Sequence, residues 1–415
     1  IEITDNNIHD VGDDGIRVDD GHHASIWNNH IGNTGDDGID VNDNDYAEIY
    51  DNYIHNTGED TSHGDGISVD GSYRVKIKNN EITGAGRDGI NVKDSNKAFI
   101  AWNDIFAQGG SWSRRGSDWG QEGADRDGIH VENSDDLLIL GNNVTADVGY
   151  GYSPIDKLGA GRHGIYVEGG KDIAIKYNDI ESDSSGYGYF KRTVDSVGED
   201  GIHVTGAEDI LIKGNDIDRA GDDGIQVIVG NVENERDDRR SRFSFGGYHD
   251  DTNKVIIVDN NVTHSDDDGI IVNTEGADED HYQYNKFDFK KGGNDSSNDG
   301  KKLYIKIADN NVFKSGDEGI EVNLETSGNN NIPTFSEDSF FGFGGFGGFD
   351  SFDNHIEILD NNVGFSGGNG ILVEISPAEE REIYQSRFGG GFGGHNNGGV
   401  SNFVKIDDNN VAFSA

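Results

Sequence analysis

The chain has no cysteine and no methionine, and only 3 of its 415 residues are proline. Without cysteine, neither disulfide bonds nor thiol chemistry can contribute to this protein. The scarcity of proline suits strand ladders that run without interruption. Because the first residue is Ile1 rather than methionine, we expect a processed product or a segment of a longer protein.

Basic residues are also scarce, because 33 Lys and Arg face 79 Asp and Glu, which gives a formal net charge of -46. This balance argues against nucleic acid as a partner, since phosphates are bound by cationic side chains. It favours metal cations as partners, or it serves only to keep the protein soluble. No apolar run approaches the length of a membrane span, so we expect no membrane-spanning segment.

One phrase, "DGIxV", recurs from one end of the chain to the other, and "xIxI" and an asparagine-bearing turn follow each copy. The shortest distance between successive copies is 23 residues, as from Gly15 to Gly38, and the other distances are this unit with an insertion. Apolar residues alternate within each short piece, which is the period of a β-strand. Three short strands cannot bury their inner faces alone, whereas stacked coils can.

An asparagine stands two residues before the last apolar position of every unit. Asparagine tolerates a left-handed turn, and its amide can bond its counterpart in the next coil. The pattern therefore predicts a structural ladder of Asn6, Asn29, Asn52, Asn80, Asn103, Asn142, Asn178, Asn215, Asn260, Asn310, Asn361 and Asn409.

The pattern "DGIxV...xIxIxxNxI" resembles the right-handed parallel β-helix repeats of the pectate-lyase-like superfamily over nearly the whole chain. The resemblance implies an all-β fold, a single-stranded right-handed parallel β-helix (β-solenoid) of about 12 coils, as one continuous domain over residues 1–415. In that arrangement "DGIxV" is the first strand, "xIxI" is the second, and the asparagine turn precedes the third. The fold hosts lyases, hydrolases, epimerases and adhesins, so the resemblance leaves the function open. We expect no organic cofactor.

The insertions flank the first strand of the unit on both sides. They cover about 106–126, 146–162 and 182–199 before that strand, and 229–253, 274–302, 324–354 and 375–402 after it. Two of the later insertions join phenylalanine to glycine, and exposed aromatic side chains rarely persist without a partner. They are candidate assembly contacts, or they fold back over their own rod: Phe340, Phe341, Phe343, Phe346, Phe349, Phe388 and Phe392.

An aspartate precedes the glycine of most "DGI" copies, and His163, Glu318 and Asn369 take this position in the other three units. Stacked carboxylates repel unless they are protonated or bridged by a cation, and hard oxygen ligands suit Ca²⁺. Each aspartate can equally cap its own turn by accepting a backbone N–H. The candidate calcium ligands are Asp14, Asp37, Asp65, Asp88, Asp127, Asp200, Asp223 and Asp268.

The outward residue inside "DGIxV" is His130, Tyr166 and His203 in three successive units, each preceded by a long insertion. Two imidazoles and a phenol in a groove can perform acid–base chemistry on a polysaccharide, as β-elimination or epimerisation requires. Carboxylates such as Asp127 and Asp200 would instead serve hydrolysis.

Two functions from different classes compete. The first hypothesis is an extracellular or cell-surface structural protein, a building block of a filament, sheath or adhesin stalk that assembles with copies of itself head to tail or laterally. It depends on the ends "IEI" and "VKIDDNNVAFSA", which carry no capping helix. The second is a secreted polysaccharide lyase, epimerase or hydrolase that acts in the groove. Carbohydrate binding by the aromatic insertions, without turnover, is a third alternative.

Overall fold

A computed structural model describes residues 1–58, 64–108, 127–147, 163–183, 199–229, 252–274, 302–326, 354–377, 383–384 and 402–412. Every regular element in these ranges is a β-strand, and the strands form three stacked sheets. Across the described parts of the chain, no helix is long and apolar enough to cross a membrane.

Each complete coil contributes one strand to each sheet. Sheet A holds the "xIxI" strands: β1 (Glu2–Thr4), β4 (Ser25–Trp27), β7 (Glu48–Tyr50), β10 (Lys76–Lys78), β13 (Phe99–Ala101), β16 (Leu137–Leu140), β19 (Lys171–Lys176), β22 (Glu208–Lys213), β25 (Thr252–Val258), β28 (Lys302–Ala308), β31 (Asn354–Leu359) and β35 (Asn402–Asp407).

Sheet B follows the asparagine turn: β2 (Asn7–Val11), β5 (His30–Thr34), β8 (Tyr53–His55), β11 (Glu81–Thr83), β14 (Asp104–Gln108), β17 (Asn143–Asp147), β20 (Asp179–Asp183), β23 (Asp216–Asp218), β26 (Asn261–Thr263), β29 (Asn311–Phe313), β32 (Asn362–Gly364) and β36 (Asn410–Ala412).

Sheet C holds the "DGIxV" strands: β3 (Ile16–Asp19), β6 (Ile39–Asn42), β9 (Ile67–Asp70), β12 (Ile90–Lys93), β15 (Ile129–Glu132), β18 (Ile165–Glu168), β21 (Ile202–Thr205), β24 (Ile225–Ile228), β27 (Ile270–Asn273), β30 (Ile320–Thr326), β33 (Ile371–Pro377) and the short β34 (Ile383–Tyr384).

The predicted parallel β-helix is confirmed, with every third strand stacked in parallel on its predecessor. The exception is β34, which pairs antiparallel with β33 through Val373 and Tyr384. It covers the outer edge of sheet C, where unpaired backbone groups would otherwise remain. The repeat pattern did not predict this strand, because β34 lies in an insertion and carries no "DGI" signal.

The core is a set of apolar columns. In β12 the side chains of Ile90 and Val92 point inward and are fully buried, and they lie in register with Ile67 and Val69 of the coil before. Asn91 and Lys93, which alternate with them, face outward and are half-buried. Each buried isoleucine stabilises the fold by about 1.5–3 kcal/mol, so the narrow core enclosed by the three sheets can hold the coils together.

The repeated glycine lies where two coils approach most closely. A Cβ atom on Gly89 would lie 2.5 Å from Cγ2 of Ile105 and 2.6 Å from the carbonyl oxygen of Gly128. No larger residue fits without moving the next coil, and this contact explains the recurrence of "DGI".

The predicted asparagine ladder is also confirmed, and it runs unbroken from Asn6 to Asn409. Asn103 is typical: its Oδ1 accepts bonds from both the backbone N–H and Nδ2 of Asn80, each at 3.0 Å. Its own Nδ2 donates to the carbonyl oxygen of Ile77 and to Oδ1 of Asn142. Each ladder side chain thus satisfies buried polar groups in neighbouring coils.

We therefore expect Asn103→Ala to lower the free energy of unfolding by about 3 kcal/mol, because it leaves two buried donors of Asn80 without an acceptor. The control is Asn362→Ala, since the exposed side chain of Asn362 donates to Asn311 on the surface of sheet B. That change should cost less than about 0.5 kcal/mol. Equal losses in urea unfolding followed by circular dichroism would contradict this view of the ladder.

Candidate functional site

The insertions expected to wall a groove lie largely outside the described residues, and so do all seven candidate assembly contacts, from Phe340 to Phe392. The described part of the candidate site is therefore the outer surface of sheet C and the turn that leads into it.

The register of sheet C places the three predicted catalytic residues side by side. His130 pairs with Tyr166, and Tyr166 pairs with His203, in β15, β18 and β21. The ring centroids of His130 and Tyr166 are 5.0 Å apart, and those of Tyr166 and His203 are 5.2 Å apart. Two imidazoles thus flank one phenol on three consecutive coils. Their catalytic role stays a prediction.

A fourth aromatic ring joins this cluster from the turn. His163 is buried and stacks on Tyr166 with a centroid distance of 5.1 Å and an interplanar angle of 18°. It also lies 4.7 Å from the ring of His203. In the sequence, His163 stands out only as a replacement for the usual aspartate. The available signal was that its position, three residues before an outward-facing tyrosine, brings the two rings to the same edge of the sheet.

The aspartates before the glycines form a second ladder. Oδ1 of each accepts the backbone N–H of the equivalent residue in the next coil, rather than capping its own turn as one of the two alternatives expected. The bonds of 2.6–3.1 Å join Asp14 to Asp37, Asp37 to Asp65, Asp65 to Asp88, Asp88 to Asp127, Asp127 to His163, Asp200 to Asp223 and Asp223 to Asp268. His163 keeps the ladder continuous, because its Nδ1 accepts the N–H of Asp200 at 3.2 Å.

The second oxygen of several ladder aspartates contacts an outward side chain of sheet C. Oδ2 of Asp200 lies 2.6 Å from Nδ1 of His203, and Oδ2 of Asp223 accepts Nε2 of Gln226 at 2.7 Å. Oδ2 of Asp88 lies 3.4 Å from Nδ1 of His130. The buried ladder therefore orients the side chains of the candidate site from behind.

Burial and mutual repulsion strongly perturb this column of carboxyl groups. Burial, with the charge of Asp200 second, raises the pKa of Asp223 to about 8. Burial, then the hydrogen bond and charge of Glu321 and the charge of Asp223, raises the pKa of Asp268 to about 10. At Asp200 burial alone would raise the pKa, but the hydrogen bond of His203 and the neighbouring imidazoles of His163 and His203 outweigh burial and lower it.

His130 is affected by opposing influences. Burial disfavours its protonated form, but the hydrogen bond and charge of Asp88 and the charges of Asp127 and Glu132 prevail and raise the pKa of His130. Its Nε2 is buried without a hydrogen-bond partner among the described residues. This imidazole is better placed to carry positive charge than to exchange protons with a ligand.

A cleft of 440 Å³ opens beside this cluster on sheet C. Its lining includes His130, Tyr166 and His163, together with the cationic side chains of Arg87 and Lys93. Arg87 forms an ion pair with the buried Asp65, and Lys93 forms one with Glu132 at 2.8 Å. The cleft thus combines titratable rings with both signs of charge.

Some of the candidate calcium ligands lie close enough together to share an ion. Single oxygens of the candidates Asp14 and Asp37 lie within 4.8 Å of each other and of an oxygen of Asp40, which the sequence did not suggest as a ligand. However, Nη1 of Arg17 lies 3.4 Å from Oδ2 of both Asp14 and Asp40, where a cation would bind. Asp65, Asp88 and the later ladder members have their second oxygens close to other side chains. Calcium stays a prediction.

Residues 1–191 match the family model described as "Right handed beta helix region". This match covers less than half of the chain, and the three stacked parallel sheets show the same fold over the described coils, which confirms the resemblance carried by the repeat. No curated protein matches its sequence.

Solved structures with a similar course of the chain include the A-module of the mannuronan C-5 epimerase AlgE6 from Azotobacter vinelandii, at 11% identity and a TM-score of 0.40 over 95% of this chain and 65% of that module. The catalytic domain of a GH87 alpha-1,3-glucanase matches at 12% identity and a TM-score of 0.39, over 99% of this chain and 61% of that domain. The surface protein and adhesin PfbA of Streptococcus pneumoniae matches at 13% identity and a TM-score of 0.35, over 100% of this chain and 91% of that protein. This chain thus spans less than two thirds of the epimerase module and of the glucanase domain. TM-scores this low carry no argument about its activity.

The contrast between Asp200 and Asp223 gives a test of the ladder. A raised folded-state pKa contributes stability that is present below pH 4 and is lost as the pH rises through about 8. Asp223→Asn keeps an Oδ1 acceptor and cannot ionise, so we expect it to be more stable than the parent above pH 8, by at least about 1 kcal/mol, and equal to it near pH 4.

Asp200→Asn is the matched control in the neighbouring coil, because the lowered pKa of Asp200 contributes stability above its unfolded-state pKa. This variant should be less stable than the parent at neutral pH. Thermal unfolding from pH 4 to pH 9 distinguishes the two, and a stabilised Asp200→Asn at neutral pH would show that the histidines do not stabilise its charge.

Proposed function

We propose that the chain is a polysaccharide-processing enzyme that uses general acid–base catalysis on the outer surface of sheet C, at the end of the cleft where Tyr166 of the lining meets His203 of the next coil. The observation that supports this most is the carboxylate–imidazole pair of Asp200 and His203, at 2.6 Å, beside the phenol of Tyr166. A solvated strand surface does not require a buried carboxylate with a lowered pKa behind a histidine.

His203 is the proposed base. Its Nδ1–H donates to the ionised Asp200, so Nε2 is the proton acceptor of the ring and the carboxylate stabilises the imidazolium that forms. The side chain of His203 is 13% exposed, whereas that of Asp200 is 3% exposed. A sugar therefore meets the imidazole and not the carboxylate.

Tyr166 is the proposed acid. Its hydroxyl donates to Oε2 of Glu168 at 3.3 Å, and its ring is held between His163 and the neighbouring imidazoles. A phenol donates a proton to a leaving glycosidic oxygen and recovers it from the base through solvent. In the free protein Glu168 accepts the hydrogen bond of this hydroxyl, and the hydroxyl would turn from Glu168 to the leaving oxygen when the sugar binds.

The placement of these groups favours β-elimination over the other two reactions. Base and acid are neighbours in one sheet, so they meet the same side of a bound chain, which suits removal of a ring proton and protonation of the leaving oxygen on one side. Epimerisation needs proton donors and acceptors on opposite sides of the sugar. Hydrolysis by Asp127 and Asp200 is less suitable, because both carboxylates are buried and hold backbone N–H groups.

Elimination requires a carboxyl group beside the carbon that loses its proton, so the proposed substrate is a polyuronate. Cationic groups must offset the substrate's negative charge, and we assign this role to Arg87 and Lys93 in the cleft. These two side chains would exchange their partners Asp65 and Glu132 for the substrate. The net charge of -46 opposes the approach of such a polymer at long range, so turnover should rise with moderate salt. An extracellular or cell-surface location belongs to this proposal, and self-assembly remains a separate prediction.

The test is a screen of polyuronates for the unsaturated product of elimination, by ultraviolet absorbance, with reducing-end and NMR assays for hydrolysis and epimerisation. We expect His203→Ala and Tyr166→Phe each to lower kcat by about 10²–10⁴-fold, since each removes one proton-transfer group. Gln226→Ala is the control, because Gln226 occupies the same column one coil further on. Unchanged turnover in both His203→Ala and Tyr166→Phe would refute the proposed site.

Calcium is proposed for the first three coils only, at Asp14, Asp37 and Asp40. Burial, with the charge of Asp65 second, raises the pKa of Asp37 to about 8, so an ion that binds there must displace a proton. Binding should therefore be stronger above this pKa than below it.

We expect calorimetric titration with CaCl₂ to give tighter binding at about pH 9 than at about pH 6, with proton release at the lower pH. Arg17→Gln should tighten binding because it removes the competing guanidinium, and Asp37→Asn should abolish it. If Asp268→Asn, far along the ladder, abolished binding instead, calcium would belong to another part of the acidic column.

A further inference from the structure

The residue before each ladder asparagine adopts a left-handed backbone conformation in every described coil. Eight coils place aspartate or asparagine there, which are the residues that tolerate this conformation best after glycine. These are Asp5, Asn28, Asp51, Asn79, Asp259, Asp309, Asp360 and Asp408.

Four consecutive coils depart from this rule, with Trp102, Gly141, Tyr177 and Gly214 in that order. Both aromatic residues have a φ of 54°. A bulky side chain in this region is an outlier that costs stability, and such outliers concentrate at functional positions. The two rings are nevertheless among the most exposed large side chains described, at 53% for Trp102 and 57% for Tyr177.

The intervening glycines make room for the rings. A Cβ atom on Gly141 would lie 2.9 Å from Cδ1 of Trp102, and one on Gly214 would lie 2.5 Å from Cε1 of Tyr177. Each ring therefore lies over the bare backbone of the next coil. Phe99 packs edge-on against Trp102 at 5.8 Å and limits the motion of the indole. Alternation of aromatic residue and glycine gives two supported, exposed rings.

The rings stand two coils apart, which is about 10 Å along the rod axis at the usual strand spacing. That distance matches roughly two sugar residues of an extended β-linked hexose chain, so alternate sugars would meet a ring. Aromatic rings offer large apolar faces to the C–H faces of sugars, while the rim of the site bonds hydroxyl groups.

Exposed polar side chains lie beside the rings at the start of the sheet B strands. Asp104 and Asn143 are joined by a bond of 3.0 Å from Nδ2 to Oδ1, and Asp179 follows in the next coil. Carboxylates and amides accept and donate bonds to sugar hydroxyls, but exposed carboxylates repel a polyuronate. On the other side of the rings, Lys213 is already paired with Asp259 at 3.0 Å.

We propose that Trp102 and Tyr177 form a binding site for a neutral, extended β-linked polysaccharide that runs along the corner between sheets A and B. This site lies outside the cleft of sheet C and does not depend on the proposed elimination reaction. It would hold the protein on a neutral polymer, whatever polymer the cleft processes.

The experiment is affinity gel electrophoresis of the full chain through hydroxyethylcellulose and through galactomannan, with alginate as the anionic comparison. We expect retardation in at least one neutral polymer. Trp102→Asn and Tyr177→Asn should each weaken binding several-fold, and the double variant should lower it by at least tenfold. Trp27→Ala is the control, because Trp27 stacks on Tyr50 at the end of β4, three coils from Trp102 along the rod.

Asparagine restores the residue that other coils use at this position, so both single variants should unfold at a higher temperature than the parent while they lose binding. A lower unfolding temperature would show that the rings serve stability, and it would overturn the proposal. Failure of the parent to bind either neutral polymer would also overturn it. So would a change of oligomeric state in the double variant by light scattering, which would assign the rings to a contact between copies.

His203→Ala separates this proposal from the proposed reaction. It should lose turnover and keep its retardation in the neutral polymer, whereas the double variant should keep turnover on a short soluble uronate oligomer. If His203→Ala abolished retardation as well, the neutral polymer would be bound by the cleft, and the corner site would be refuted.

Discussion

The in-register stacking of one coil on the next is the constraint on which the rest of the structure depends. The asparagine ladder fixes this register at one corner, because Oδ1 of each asparagine accepts two donors from the coil before. The glycine of "DGI" fixes it at another corner, where no Cβ atom fits between coils. Under this constraint any residue type that is repeated becomes a column, and any departure from the repeat becomes a cluster.

Columns of like residues have opposite consequences for apolar and acidic side chains. Isoleucine on isoleucine builds the core, but aspartate on aspartate concentrates negative charge in a buried position. The structure relieves this repulsion by backbone N–H bonds along the column and by opposite charge, as Arg87 provides for Asp65. Where neither suffices, the pKa rises and the group keeps its proton, as at Asp223. His163 replaces one carboxylate of the column while it continues the hydrogen bonds. The pKa of the next carboxylate, Asp200, is lowered.

The sequence predicted what a single unit encodes, namely the three strands, the two turns and the ladder of asparagines. It also placed His130, Tyr166 and His203 in one column, because a fixed period aligns equivalent positions. It did not predict relations between units that differ. The aspartate oxygen that bonds the next coil, the stacking of His163 on Tyr166 and the ring of Trp102 over Gly141 each depend on the backbone approach of two coils, and hydrophobic periodicity carries no information about that approach. The strand β34 was not predicted because it lies in an insertion that carries no repeat signal.

The two departures from the repeat occupy neighbouring coils, and they coincide in the seventh. Coils numbered by their ladder asparagine place Trp102 in the fifth, His130 in the sixth, Tyr166 and Tyr177 in the seventh, and His203 in the eighth. Sheet C bears the titratable rings, and the corner between sheets A and B bears the exposed ones. Trp102 and Tyr177 are the aromatic residues that directly precede a ladder asparagine in the described coils, whereas Tyr46 and Phe365, which also have a left-handed backbone, lie in other turns. The corner between sheets A and B faces away from sheet C, so the proposed corner site and the proposed reaction site would contact separate polymer chains at similar heights along the rod.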